Sequence, residues 1–362
     1  MDYMERALSL ARQALGRVSP NPAVGAVLVC DGVIVGEGFT QPPGSDHAEI
    51  VALKHAGAKA RGSTLYVTLE PCCHFGRTPP CSRALIAAGI AEVHLAMLDP
   101  NPLVCGRGRV ELEQAGMKTV TGEHEAEARE INEVYIKYIT SGFPFVIAKF
   151  AMSLDGKIAT ASGDSRWISG GVARSYVHEL RKNVDAIIVG VNTVLADDPE
   201  LTARSDSGEA SGCQPLRIIA DAQGRTPASA RVLSVPGCTL LAVDENLDQI
   251  RAWALEQAGA ELIRLPCREG LVDLKALFKL LGQRQVTSVL AEGGGQLLGS
   301  LFDQGLVDKV VVFIAPIVIG GTNAKVAVAG QGVDKVSQAL RLRQVRIEML
   351  DQDILVTGYT GA

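Results

Sequence analysis

The tetrad Ser141-Gly142-Phe143-Pro144 constrains this chain more than any other stretch, because it stops one run of alternating strand and helix patterns and precedes a second. A chain of 362 residues exceeds what one ordinary core accommodates, so the break divides it into expected domains 1–143 and 144–362. With 47% hydrophobic and 21% charged residues, the composition is globular throughout and supplies two cores.

Before the break, Met4, Leu8, Ala11 and Leu15 recur at helical spacing and Gly16 follows, predicting an amphipathic helix stopped by glycine. Val24 to Val29 and Val33 to Val35 flank Asp31-Gly32, the signature of a tight hairpin. A helix is expected from near Asp46, a strand over Ser63 to Leu69, a helix over Ser82 to Ala88 ended by Gly89, a strand over Glu92 to Leu98, and a long polar helix around Glu123 to Thr140. That order predicts an α/β layer structure with a mixed sheet.

After the break, strands at Val146 to Met152, Ala186 to Val189, Arg217 to Ala220, Thr239 to Val243, Ser288 to Leu290 and Lys309 to Ile314 alternate with helical segments. They predict a second, separate α/β sheet. Residues 204–214 are small and polar, as in a surface loop.

The net charge of −5 comes from 35 basic and 40 acidic side chains spread over both parts. Neither part offers the basic face that nucleic-acid affinity requires, so a small-molecule substrate is expected. The start Met1-Asp2-Tyr3-Met4-Glu5 lacks the basic and apolar regions of a signal peptide, and the apolar stretch near Val310 to Ile319 is too short to span a bilayer. The expected location is the cytoplasm, where the eight cysteines serve as core residues or ligands rather than disulfides. Homo-oligomerisation is left open.

Chemistry enters at His47-Ala48-Glu49, followed by Pro71-Cys72 and Cys81, each set near the start of an expected helix after a strand. One imidazole and two thiolates suit zinc, and three protein ligands leave a fourth position open for water, as in catalytic sites. Glu49 then has the position of a proton shuttle, taking a proton from the attacking water and returning one to a leaving amine. Zinc deaminases carry the pattern H-x-E…P-C-x-x-C, whereas eight residues separate Cys72 from Cys81 here. A lone His-x-Glu or Cys pair would mean little, and a purely structural zinc module is the bland alternative.

The insert Cys73-His74-Phe75-Gly76-Arg77-Thr78-Pro79-Pro80, together with Ser19-Pro20-Asn21-Pro22, Val24-Gly25 and Asp99-Pro100-Asn101-Pro102-Leu103-Val104, resembles the bifunctional deaminase/reductase family of riboflavin biosynthesis. Cys73 stands where that family usually carries Ser, which puts a third thiol beside the site. By resemblance, the first domain has a cytidine-deaminase-like α/β/α fold, and Asn21, His74, Arg77, Asp99 and Asn101 line a pyrimidine pocket. Asn and Asp before Pro are also common turn formers, so Asp99 and Asn101 have a structural reading too.

The second part carries Lys149-Phe150-Ala151-Met152-Ser153-Leu154-Asp155-Gly156-Lys157, then Ser165-Arg166-Trp167, and glycine turns at Val189-Gly190-Val191 and Glu292-Gly293-Gly294-Gly295. Glycine turns between strand and helix expose N–H groups that can hold phosphate, but no G-x-G-x-x-G follows the first strand. The resemblance implies a dihydrofolate-reductase-like fold that uses NADPH. It carries cofactor contacts onto Ala151, Trp167, Thr193, Asp197, Gly294, Gly295, Gln296, Leu297, Leu298, Gly299 and Ser300. Substrate contacts fall on Lys157, Ser165, Arg181, Leu201, Arg204 and Glu292, with Arg181 and Arg204 expected to hold the 5′-phosphate. Two other readings stay open: a nucleic-acid-editing deaminase, and a deaminase whose C-terminal part only binds a nucleotide.

Overall fold

The computed structural model describes residues 2–76, 78–204 and 213–361, so most of the expected 204–214 loop lies outside the described residues. It divides into two compact units, Met1–Phe143 and Pro144–Ala362.

The first unit runs α1 (Tyr3–Arg12), β1 (Gly25–Cys30), β2 (Val33–Phe39), α2 (Ala48–Ala56), β3 (Thr64–Val67), α3 (Cys81–Ala88), β4 (Glu92–Leu95), α4 (Arg107–Gln114), β5 (Lys118–Thr121), α5 (Glu125–Ile131) and α6 (Glu133–Ser141). Its sheet has the order β2-β1-β3-β4-β5, with β1 antiparallel to β2 and β3 and the remaining pairs parallel. The hairpin turns at Asp31 and Gly32, both at positive φ (50° and 75°), which is the geometry that Asp-Gly favours. Asp2 caps α1 by accepting the N–H groups of Met4 and Glu5, and Met4, Ala7, Leu8, Leu10 and Ala11 bury its inner face.

Three expectations need correction. Helix α1 ends at Arg12 rather than at Gly16, and Leu15 is exposed while Ala14 packs with Val18 and Ala23. The single long helix is two, broken at Asn132, whose side chain spans the gap to Ala23: Oδ1 accepts the Ala23 N–H at 2.9 Å and Nδ2 donates to the Ala23 carbonyl at 3.1 Å. Helix α4 and strand β5 were not foreseen, because Arg107–Gln114 has only a narrow apolar stripe and Lys118–Thr121 is a four-residue strand without large apolar side chains.

The second unit contains β6 (Phe145–Ser153), β7 (Lys157–Ala159), α7 (Gly171–Lys182), β8 (Ala186–Gly190), α8 (Val191–Asp197), β9 (Leu216–Ala220), α9 (Arg231–Ser234), β10 (Thr239–Asp244), α10 (Gln249–Gln257), β11 (Ala260–Leu265), β12 (Cys267–Arg268), β13 (Leu271–Val272), α11 (Leu274–Gln283), β14 (Ser288–Ala291), α12 (Gly295–Asp303), β15 (Lys309–Ala315), β16 (Lys325–Val326), β17 (Arg343–Leu350) and β18 (Asp353–Tyr359). The main sheet has the order β11-β10-β9-β8-β14-β6-β15-β18-β17. It is parallel from β11 to β15 and antiparallel across the last two pairs. The parallel strands read as continuous apolar runs because helices cover both faces, which is why the sequence exposes them so clearly.

In the first unit β2 and α2 touch backbone to backbone. A Cβ built on Gly38 would lie 2.5 Å from the Ala48 carbonyl oxygen, one residue from His47 and from Glu49. Gly38→Ala should therefore cost about 1–3 kcal/mol by overpacking and lower zinc occupancy; thermal melts and metal analysis of the full chain measure both.

Candidate metal centre and cofactor site

His47 is the N-cap of α2, with extended backbone, and Glu49 lies in its first turn. Cys81 opens α3, and Cys72 sits in the loop that joins β3 to it. Three ligand atoms from these separate segments lie within 4.8 Å of one another. His47 Nδ1 is 3.7 Å from Cys72 Sγ and 3.3 Å from Cys81 Sγ, and the Cys81 N–H donates to Cys72 Sγ at 3.3 Å.

Electrostatics follows from this crowding. A hydrogen bond from Cys81 pulls the Cys72 thiol down to about 4 against the cost of burial, while the same bond and burial push Cys81 up. Burial first, then the charge on Cys72, raises the Glu49 carboxyl to about 7. Glu49 is only 4% exposed, and its carboxyl group hydrogen-bonds Cys81.

Around this centre, His74 is half-buried, and its Nδ1 has no hydrogen-bond partner among the described residues. Asn21 lies in the segment that Asn132 ties down at Ala23. Asp99 accepts the Tyr135 hydroxyl at 3.0 Å and the Asn101 N–H at 2.9 Å, and burial raises its carboxyl to about 6. Asn101 Oδ1 accepts the Leu103 N–H at 2.9 Å, so the turn-forming role is realised and its amide nitrogen carries the remaining donors. Arg77 lies outside the described residues.

In the second unit the turns from β8 to α8 and from β14 to α12 sit side by side, since β8 and β14 pair. Thr193 Oγ1 accepts the Gly294 N–H at 3.1 Å, and Asn192 donates to Gln296 Oε1 at 2.8 Å. Ala151 lies on β6 and Ser300 on α12. The Asp197 carbonyl accepts Arg166, and Trp167 is 71% exposed with the Arg174 guanidinium 4.7 Å over its ring. Leu297 is buried; Leu298 and Gly299 are corrected as direct contacts, because Leu298 has no exposed surface and the Ala329 backbone occupies the space beside Gly299.

Arg181 and Glu292, expected as separate substrate contacts, form one unit. Arg181 Nε and Nη2 donate to the two carboxylate oxygens at 2.6 and 2.9 Å, and Nη1 donates to the Thr202 carbonyl at 3.2 Å. The Arg181 fork is thus turned to Glu292. Lys149, to which the sequence reading gave no role, lies 3.8 Å from the same carboxylate. Burial works against the Glu292 charge, but Arg181 and Lys149 outweigh it and hold the carboxyl at about 2. Arg204 bonds Thr202 Oγ1 at 3.1 Å and pairs with Glu200; Leu201 is buried at positive φ. Lys157 donates its N–H to Ser153 Oγ at the start of β7, and Ser165 lies in the loop before α7.

The model for the RibD C-terminal domain matches residues 144–356, and that for the cytidine and deoxycytidylate deaminase zinc-binding region matches residues 1–97. Riboflavin biosynthesis protein RibD of Actinobacillus pleuropneumoniae is 42% identical over 98% of this chain and 94% of its own length. The Escherichia coli K12 protein of the same name is 42% identical over 97% of each chain. The chain belongs to the RibD family. Among solved structures, Acinetobacter baumannii RibD covers 99% of this chain and 98% of its own at 37% identity, with a TM-score of 0.88. The Thermotoga maritima deaminase/reductase covers the same shares at 35% identity and a TM-score of 0.86.

For a RibD-family chain the zinc-binding and reductase matches imply Zn2+ and NADPH. The donor set fits the metal: one imidazole nitrogen and two sulfurs converge, three protein ligands in all, as in catalytic zinc sites. At the cofactor turn, a Cβ on Gly294 would meet nothing closer than Thr193 Oγ1 at 3.6 Å, so its Cβ side is open.

Thr78 is a residue the sequence reading passed over, since a Thr in a Pro-rich loop carries no signal of its own. Its Oγ1 lies 3.3 Å from His47 Nε2, while Nδ1 faces the two sulfurs; with Nδ1 on a metal, Nε2 would carry the proton and donate to Thr78. Thr78→Val should weaken zinc binding about 10–100-fold in chelator competition, while Thr78→Ser stays near the parent.

Proposed function

We infer that the chain is a bifunctional enzyme of riboflavin biosynthesis, with a zinc-dependent deaminase in residues 1–143 and an NADPH-dependent reductase in residues 144–362. The first removes the 2-amino group of 2,5-diamino-6-(5-phosphoribosylamino)pyrimidin-4(3H)-one by hydrolysis. The second reduces the ribosyl side chain to give 5-amino-6-(5-phosphoribitylamino)uracil. The observation that carries this reading is the convergence of His47, Cys72 and Cys81, with the carboxyl of Glu49 buried in the helical turn that follows His47.

His47, Cys72 and Cys81 would hold zinc, which supplies Lewis acidity and an activated water when bound. Glu49 moves the protons: its carboxylate takes one from the attacking water and delivers one to the departing amine, a task suited to a group that titrates at about 7. Asp99, Asn101, Asn21, His74 and Arg77 orient the pyrimidine through its polar edge.

In the reductase, NADPH supplies the hydride when bound. The paired turns that carry Thr193 and Gly294 would hold its phosphates beside the start of α12. Glu292, kept ionised by Arg181 and Lys149, presents an acceptor to the substrate, while Arg204 and Lys157 offer charge to its phosphate.

One coupled assay tests the reading: purified zinc-loaded chain with the diaminopyrimidinone substrate and NADPH, following ammonia and cofactor absorbance together. Both signals are expected. Glu49→Gln should keep zinc, release no ammonia and still reduce pre-deaminated substrate; Gly294→Asp should lose NADPH oxidation and keep ammonia release. Ammonia without any NADPH oxidation by the parent would leave only a nucleotide-binding C-terminal part.

The substrate is a small molecule, and no described helix is long and apolar enough to cross a membrane. The cytoplasm is the compartment we assign, because thiolate ligands call for reducing conditions. Self-association is assigned to β17, the last strand of its sheet, whose Val345, Ile347 and Met349 alternate onto one exposed face. Sedimentation should show a dimer that Ile347→Asp dissociates; a parent chain that stays monomeric at tens of micromolar, roughly the range of weak complexes, would remove this assignment.

A further inference from the structure

Glu70 is only 3% exposed and two residues before Cys72, yet nothing in the chemistry above uses it. Its carboxylate is turned away from the ligand atoms and onto main chain. Oε2 accepts the N–H groups of Asp99 at 3.1 Å and Gly106 at 2.9 Å, and Oε1 accepts the Arg109 N–H at 2.9 Å. Its own N–H donates to the Met97 carbonyl at 3.0 Å.

Two of those donors open helix α4. Gly106 is its N-cap and has no side chain with which to cap, so Glu70 supplies from a distance the acceptor and the negative charge that a helix N-terminus calls for. Gly108 admits the carboxylate: a Cβ there would lie 3.2 Å from Glu70 Cγ and Oε1. The third donor, Asp99, begins the segment that carries Asn101, and Tyr135 holds the Asp99 carboxylate from α6. A carboxylate only accepts, so it can serve all three N–H groups; an amide would turn a donor on one of them.

We propose that Glu70 is a positioning residue of the deaminase, tying the Asp99–Asn101 segment to the loop of Cys72 so that the pyrimidine's polar edge is held at a fixed reach from the metal ligands. The inference rests on the reading that Asp99 and Asn101 touch the substrate. Burial and three bonds make the tie stiff, one to Asp99 and two to the start of α4, which anchors its far end. Since Glu70 touches neither reacting atom nor ligand sulfur, its loss acts on binding more than on turnover.

The test uses the full zinc-loaded chain and the diaminopyrimidinone phosphoribosyl substrate. Glu70→Gln is expected to retain one zinc, raise the KM for ammonia release tenfold or more, change kcat less than threefold, and leave reduction of pre-deaminated substrate unchanged. The double variant Glu70→Gln with Gly106→Asn places a local cap on α4 at a left-handed position that Asn tolerates. It should regain the parent's melting temperature and keep the raised KM.

Recovery of both melting temperature and KM in the double variant would make Glu70 a helix cap and nothing more, overturning the proposal. So would an unchanged KM in Glu70→Gln, or a loss of zinc in step with activity in both variants. Asn101→Ala, run beside them, separates the two layers. A raised KM there with an unchanged KM in Glu70→Gln overturns the tie alone, while an unchanged KM in Asn101→Ala removes the reading on which it rests.

Discussion

Backbone contact between helix α2 and strand β2 governs where the chemistry of the first unit can lie. Gly36 and Gly38 point at the Ala52 and Ala48 carbonyls with no side chain between them, so the helix is seated by main chain and not by adjustable rotamers. His47 and Glu49 begin that helix, and their positions follow from its seating. Cys72 and Cys81 arrive from the β3-to-α3 connection, and β3 is paired with β1, which is paired with β2. The three ligands therefore share one rigid frame although they are distant in sequence. Such rigidity matters because a misplacement near 1 Å can cost on the order of a hundredfold in rate.

Three buried carboxyl groups illustrate how environment divides labour among identical chemistries. Glu292 faces a guanidinium fork and an ammonium group and stays ionised far below neutral pH. Glu70 spends its lone pairs on main-chain donors. Glu49 has neither a cation fork nor a set of N–H partners, and burial beside sulfur lifts it to about 7. Glu49 lies in the first turn after the ligand His47, where a carboxyl can pass a proton between water and amine. Glu292 and Glu70 are better suited to fixing geometry, one by charge and the other by hydrogen bonds.

Much of the frame is legible in the residues because it depends on local signals. Asp31-Gly32 dictates its turn, Gly89 at positive φ stops α3, and the runs at Ala186–Val189 and Thr239–Val243 are apolar enough to be buried strands whatever surrounds them. The ligand triad was equally visible, since its spacing has few other uses. What stayed hidden depends on partners distant in sequence. Asn132 breaks a helix because of Ala23, Arg181 is committed to Glu292 across more than a hundred residues, and α4 has its cap supplied by Glu70. The final strands β17 and β18 were missed for a related reason: β17 is exposed along its length, so no continuous apolar run marks it.

The Gly293-Gly294-Gly295 run shows why a glycine cluster is ambiguous until its neighbours are known. A Cβ on Gly295 would lie 2.5 Å from the Val326 carbonyl oxygen, and a Cβ on Gly293 2.7 Å from Leu297, so both glycines are required by contacts within the protein. Gly299 one turn further on meets the backbone of Ala329 and Gly330. Gly294 differs. Its φ of −70° suits any residue, and its nearest neighbour would be Thr193 Oγ1 at ordinary contact distance, so nothing internal demands a glycine there. The three flanking glycines seat α12: Gly295 and Gly299 against residues 326–330, and Gly293 against Leu297. Within the run, only Gly294 leaves its Cβ direction open, while its N–H is committed to Thr193 Oγ1.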